Sequence, residues 1–137
     1  MKYKLIDHTA DLGIHVFGKD AGDLFANAAR AMFDQITDIK KVKGVDKHSI
    51  RVKGSDWADL MVNWLRELLY FWTVKEKLVK SVDIVSISEA KLSAVITTET
   101  FDTARHSIRN EIKAVTYHQI NVEYSTTGWE AQVIFDV

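Results

Sequence analysis

The sequence predicts an α+β fold, a single domain over residues 1–137 with two principal helices packed on a largely antiparallel β-sheet and room for two β layers. Three observations carry this. Two stretches repeat apolar residues at three- and four-residue steps, the second half alternates polar and apolar residues, and 137 residues suit one core.

Along the chain, Asp7-His8-Thr9-Ala10-Asp11 is small and polar and reads as a loop. Residues 13–18 follow as a short strand, with Ile14 and Val16 on one face and His15 and Phe17 on the other. Asp20 opens a helix as its N-cap, and Asp23 adds negative charge to the first turn. Leu24, Phe25, Ala28, Met32, Phe33 and Ile36 form its apolar stripe. Residues 48–53 alternate as a half-buried strand, with His48, Ile50 and Val52 inward. Ser55 is read as the cap of a second helix reaching about residue 74. Its apolar set, including Trp57, Trp64, Leu65, Leu68 and Trp72, is wide enough to pack on more than one side.

The second half is rich in strands. Residues 79–88 and 91–99 predict a hairpin turning near Glu89-Ala90. Residues 100–110 are polar. From 112 to 124 the alternation is strict and predicts one strand, with Ile112, Ala114, Thr116, His118, Ile120, Val122 and Tyr124 on its inward face. A turn at 125–128 returns the chain as a strand over 129–136, with Trp129, Ala131, Val133 and Phe135 toward the core. No internal repeat or low-complexity tract is evident.

Composition narrows the functional classes. Without cysteine there is no disulfide framework, thiolate nucleophile or cysteine-bound zinc or iron–sulfur site. No run approaches the roughly 18 apolar residues of a membrane span, and the first residues lack a signal-peptide core. The expectation is a cytoplasmic protein without a membrane partner. A net charge of −1 disfavours a stand-alone grip on nucleic acid. Lys40, Lys41, Lys43 and Lys47 form the one dense basic run, and read as a solvated loop.

Phosphate loops, zinc helices and nucleophile elbows are missing from the sequence. Two candidates remain. Asp7, Thr9 and Asp11 could offer oxygen ligands to a hard cation or simply close an Asx-type turn, and spacing alone favours the turn. At the other end, continuing the hairpin register from Tyr124 opposite Trp129 sets Asp136 opposite Tyr117, on a polar face shared with Lys113. Asp136 and a Val137 carboxylate would then bring two negative charges together, a repulsion that a cation relieves. Fraying is the plainer reading of such an end, although Val133, Ile134 and Phe135 argue for a strand tied into the sheet. His118 reads as a core histidine ahead of a catalytic base, and Lys113 equally as a solvent-facing charge or a functional one.

Three segments resemble the archease family. They are His8-Thr9-Ala10-Asp11-Leu12-Gly13-Ile14, Glu111-Ile112-Lys113-Ala114-Val115-Thr116-Tyr117-His118 and the closing Phe135-Asp136-Val137. Length and element order agree, so the resemblance spans essentially the whole chain. It implies an accessory protein, with no catalysis of its own, that activates an RtcB-type RNA ligase. That ligase joins a 2′,3′-cyclic or 3′-phosphate end to a 5′-hydroxyl with GTP and a divalent metal, in tRNA splicing or RNA repair. Archease promotes guanylylation of the ligase histidine and repeated turnover. The resemblance further implies a divalent cation (calcium, or magnesium or manganese) on Asp11, Asp136 and the Val137 carboxylate. Lys113, Glu111 and His118 are implied as activity-supporting residues. A tRNA-modifying methyltransferase is the alternative partner, with tRNA contacted indirectly, and a metal-dependent phosphohydrolase using His118 as base is a further rival. Residues 100–110 match the family least and could bear on partner choice.

Overall fold

The computed structural model describes residues 3–7 and 11–137, with residues 6 and 7 as backbone only. Its strands and helices follow one another as β1 (Tyr3–Asp7), β2 (Asp11–Gly18), α1 (Ala21–Ile36), β3 (Asp46–Lys53), α2 (Trp57–Thr73), β4 (Lys77–Ile87), β5 (Lys91–Thr100), β6 (Ala114–Val115), β7 (Asn121–Ser125) and β8 (Gly128–Asp136). The strands make two antiparallel sheets. One runs β1-β2-β8-β6, with β7 also on β8, and the other runs β3-β5-β4. Each helix touches strands of both sheets, so the helix pair is a shared layer and buries more than one side. Trp64, Phe25, Phe33, Met32, Leu60 and Leu65 are fully buried there. The Trp64 indole N–H donates to the Phe25 carbonyl at 2.9 Å, which satisfies the one polar atom of the largest core side chain.

The two helix starts are copies of one local design. Gly18-x-Asp20-x-x-Asp23-Leu24-x-x-Asn27 leads into α1, and Gly54-x-Asp56-x-x-Asp59-Leu60-x-x-Asn63 leads into α2. Asp20 and Asp56 each accept from the N–H three residues on, at 2.8 Å. Asp23 and Asp59 reach back to the N–H groups of Lys19 and Ser55, at 2.8 and 2.9 Å. Asn27 and Asn63 donate to the carbonyls of Phe17 and Lys53, at 2.9 and 2.8 Å. This is a reciprocal capping box plus a tie to the preceding strand. It corrects two expectations. The chain does carry an internal β–α repeat, and the cap of α2 is Asp56, because only that position sets its carboxylate under the Asp59 N–H.

Glycine is required where each strand turns into its helix. A Cβ on Gly18 would lie 2.4 Å from the Leu24 nitrogen, and one on Gly54 would lie 2.6 Å from the Leu60 nitrogen. Neither neighbour is a flexible side chain. Gly54→Ala is therefore expected to cost about 1.5 kcal/mol, because the strand must pull away from the helix start. Urea unfolding should show a lower midpoint at unchanged slope, and an unaltered midpoint would disprove the close approach.

Three further expectations need revision. Residues 3–7, given no role from sequence, form β1 and pair with β2 from Tyr3↔Val16 to Asp7↔Leu12. The strand expected over 112–124 is broken into β6 and β7. Between them Gln119 takes φ of 52°, a left-handed conformation that strand alternation cannot reveal. The hairpin register begins as expected, with Tyr124 opposite Trp129, but three residues are extruded before β6. Asp136 consequently faces Ala114, not Tyr117, and His118 lies exposed on the extruded segment rather than in the core.

The polar residues 100–110 form a strap across the end of α1. Arg109 N–H donates to Ile36 at 2.7 Å, and Thr37 Oγ1 donates to the Ser107 carbonyl at 2.7 Å. Phe101 packs edge-on against Trp72 and stacks on His106. The four lysines of the basic run are all exposed, as a solvated stretch requires.

Candidate functional site

β2 and β8 pair over eight rows, from Gly18↔Trp129 at one end to Asp11↔Asp136 at the other. Their alternation fixes the faces. Ile14, Val16, Val133 and Phe135 are buried toward the helices, so Asp11 and Asp136 share the outer face. Directly paired residues hold their Cβ atoms about 5 Å apart, so two carboxylates distant in sequence become neighbours. Asp11 is half-buried and Asp136 exposed. Among the described residues, no basic side chain forms a salt bridge with either.

Lys113 reaches the same sheet end. Its backbone N–H donates to the Asp136 carbonyl at 2.7 Å, just before β6 pairs Ala114 with Asp136. Its side chain is exposed, as is that of Glu111. The structure thus gathers Asp11, Asp136, Val137 and the Lys113 backbone. It gives Glu111 and His118 no side-chain partner among the described residues. His118 contributes only its N–H, to Thr116 Oγ1 at 3.3 Å. Of the expected N-terminal loop, Thr9 lies outside the described residues, as do His8 and Ala10, and Asp7 is described only as backbone.

Sequence reasoning missed the fixtures that hold the extruded segment. Tyr117 donates its hydroxyl proton to Asp59 Oδ1 at 2.6 Å. The Arg66 guanidinium lies 4.8 Å from the Tyr117 ring centre and donates through Nε to the Val115 carbonyl at 3.1 Å. The hydrogen bond from Tyr117 lowers the Asp59 pKa, helped by the Ser55 N–H, and the same bond raises that of Tyr117. Thr116 Oγ1 adds a bond to the Ile134 carbonyl at 2.8 Å. The available signal was the repeat itself, since Asp59 is the second member of the α2 capping box.

Chemically, the Asp11–Asp136 pair is an all-oxygen donor set with uncompensated like charge, which fits calcium, magnesium or manganese better than zinc. Among the described residues, no three His, Asp or Glu side chains converge. The two aspartates are therefore a pair that needs further oxygen donors to complete a shell.

Comparison with known proteins follows the same outline. The model of the archease protein family matches residues 3–137. A protein archease of Methanosarcina barkeri is 38% identical over 140 residues, covering 99% of this chain and 96% of that one. One of Methanopyrus kandleri is 31% identical and covers both chains completely. The solution structure of protein 1598 of Methanobacterium thermoautotrophicum superposes with a TM-score of 0.81 at 28% identity, over 98% of each chain. A crystal structure of an archease, described as a possible chaperone, from Thermotoga maritima gives 0.64 at 19% identity, over 98% of this chain and 96% of that one, which supports the shared α+β fold. No described helix is long and apolar enough to cross a membrane. With the family model and the curated relatives both spanning essentially its full length, the chain belongs to the archease protein family.

Proposed function

We propose that this protein is an accessory factor that activates an RtcB-type RNA ligase through the carboxylate group at the Asp11–Asp136 end of the sheet. The observation that carries the reading is the register: two aspartates from opposite ends of the chain are direct cross-strand partners. Asp11 and Asp136, joined by an oxygen of Val137, would hold a divalent cation. Such a cation supplies charge neutralisation and orientation at phosphate oxygens.

The chain's own residues suit presentation rather than catalysis. β8 is tied between β2 and β6, so the position of Asp136 is fixed on both sides. Lys113 adds a positive charge at the same end and can meet a phosphate of the ligase-bound GTP. Glu111 and His118 flank it on exposed backbone and are free to contact the ligase. His118 has no described carboxylate to orient it as a base, which weighs against an independent phosphohydrolase.

The test is multiple-turnover RNA joining by an RtcB-type ligase from the same genome, with GTP and manganese. Adding this protein should convert a ligase that stalls after about one turnover into one that cycles. An unchanged turnover number would refute the activator reading. Capture of a tRNA methyltransferase whose activity rises instead would replace it with the alternative partner.

A further inference from the structure

The three-stranded sheet buries one face under the helices, through Ile50 and Val52 of β3 and Leu92, Ala94 and Ile96 of β5. Alternation sends Lys47, Arg51 and Lys53 of β3 and Lys91 of β5 to the opposite face, where all four are exposed. We infer that this outer face is a docking surface for the sugar–phosphate backbone of double-stranded RNA.

Charge is the first argument. Lys53 and Lys91 are direct cross-strand partners, a like-charge arrangement that destabilises a strand pair. Lys47, Arg51 and Lys53 extend the positive charge over about 20 Å of β3. Among the described residues none of the four cations forms a salt bridge. Of the carboxylates on this face, Glu99 is already taken by the Lys43 N–H and Arg105. Asp83 lies on β4, across β5 from the cations of β3. The net charge of −1 therefore averages over a face with free positive charge. Lysines on an edge strand also keep other chains from pairing with it, which would account for Lys47 and Lys53. It does not account for Lys91, because β5 is the central strand of its sheet.

The neutral residues of the face are the second argument, independent of charge. Between the cations stand hydroxyls, with Ser49 in the row between Lys47 and Arg51, and Ser93 directly opposite Arg51. Ser86 continues the Ser93 row onto β4. The strands β3, β4 and β5 hold no Trp, Tyr, Phe or Met. The imidazole of His48 points the other way, edge-on to Phe71 of α2 at 4.9 Å.

This composition separates the possible occupants. A protein partner is met by aromatic and Met anchors, with Lys and Ser scarce in the contact. Phosphate oxygens are met by Lys, Arg and Ser, the residues present here. Unpaired bases need rings to stack on, and the face offers none. A base-paired strand needs no such rings. The minor groove of A-form RNA is wide and shallow, and it displays 2′-hydroxyls beside the phosphates. A flat face of serines and cations matches it, whereas duplex DNA lacks the 2′-hydroxyl.

The experiment titrates the full chain into a fluorescein-labelled RNA duplex of about 16 base pairs and reads anisotropy between about 20 and 150 mM sodium chloride. Wild type should bind saturably, and log K should fall against log salt with a slope of roughly −3. Arg51→Gln and Lys91→Gln should each weaken binding roughly three- to tenfold and flatten the slope by about 1. Lys4→Gln, on the other sheet, should change neither. Lys91→Gln should melt no lower than wild type, because it removes one of two like charges in register, so its loss of binding is not unfolding. Single-stranded RNA and duplex DNA of the same length should each bind at least about threefold more weakly. Absence of saturable binding at the lowest salt, or slopes unchanged in both variants, overturns the inference. So does equal binding of single-stranded RNA or duplex DNA. An oligoglutamate of equal charge that binds as tightly replaces the RNA with an acidic protein surface. Because the assay contains no ligase, this inference and the activator function stand or fall separately.

Discussion

Asp136→Ala is expected to lower ligase activation at least about tenfold while leaving the free protein as stable as before. The argument for an intact fold is local. Asp136 is exposed, its contributions to β8 are backbone bonds, and alanine keeps those. Removing one of two like charges in direct register should even relieve some repulsion. The loss should therefore appear only where the carboxylate is used. Calcium added at about one hundred times its dissociation constant should stabilise wild type by about 2.7 kcal/mol, or roughly 8 °C in melting temperature. The same addition should leave Asp136→Ala unmoved, and Asp11→Ala should behave identically because it is the partner in the same row. If both variants activate the ligase like wild type, the carboxylate pair has no part in the function. If they lose activation and calcium still stabilises them equally, the cation lies elsewhere and the aspartates serve as partner contacts.

The Asp11–Asp136 pairing shows what could be read from sequence and what could not. The helices were legible because burial of a stripe leaves a 3.6-residue period, and α1 carries its stripe from Leu24 to Ile36. The β4–β5 hairpin and the last strand were legible from alternation. What alternation cannot report is an interruption that preserves its phase of residue types. Tyr117 and Ile120 continue the apparent pattern through the extruded segment, and only the left-handed Gln119 and the Asp59–Tyr117 bond reveal the break. The resulting three-residue shift moved Asp136 from Tyr117 to Ala114 and left His118 in solvent. The Asp11–Asp136 pairing does not depend on that register, because it is made by the β2–β8 ladder, which local spacing could not show; the resemblance implied only that the two residues share a cation. The β–α repeat escaped notice for another reason. Its shared residues are caps and ties at five positions of ten, too sparse to stand out until the two helix starts are set side by side.

Residues 100–110 had no sequence signature beyond polarity, and their strap yields the second prediction. Glu99, at the end of β5, gathers the strap to the basic stretch. It accepts from the Lys43 N–H at 2.9 Å, pairs with Arg105 and receives His106 Nε2 at 2.9 Å. Asp102 N–H donates to His106 Nδ1 at 3.0 Å, which leaves Nδ1 as acceptor and assigns the proton to Nε2. Burial alone would raise the Glu99 pKa, but the hydrogen bonds from Lys43, Arg105 and His106 outweigh it and bring it down to about 2. A folded pKa below the unfolded value near 4.3 stabilises the protein above that value and ceases to do so as pH falls toward 2. After allowance for solvent screening the contribution is about 2 kcal/mol. Urea unfolding between pH 7 and pH 2 should therefore show wild type losing about 2 kcal/mol more than Glu99→Gln, whose curve is flatter by that amount and lower at neutral pH. Parallel curves would mean that Glu99 is as readily protonated in the folded chain as in the unfolded one, and that the strap is held by its other bonds, among them those to Glu76, Gln35, Ile36 and Thr37.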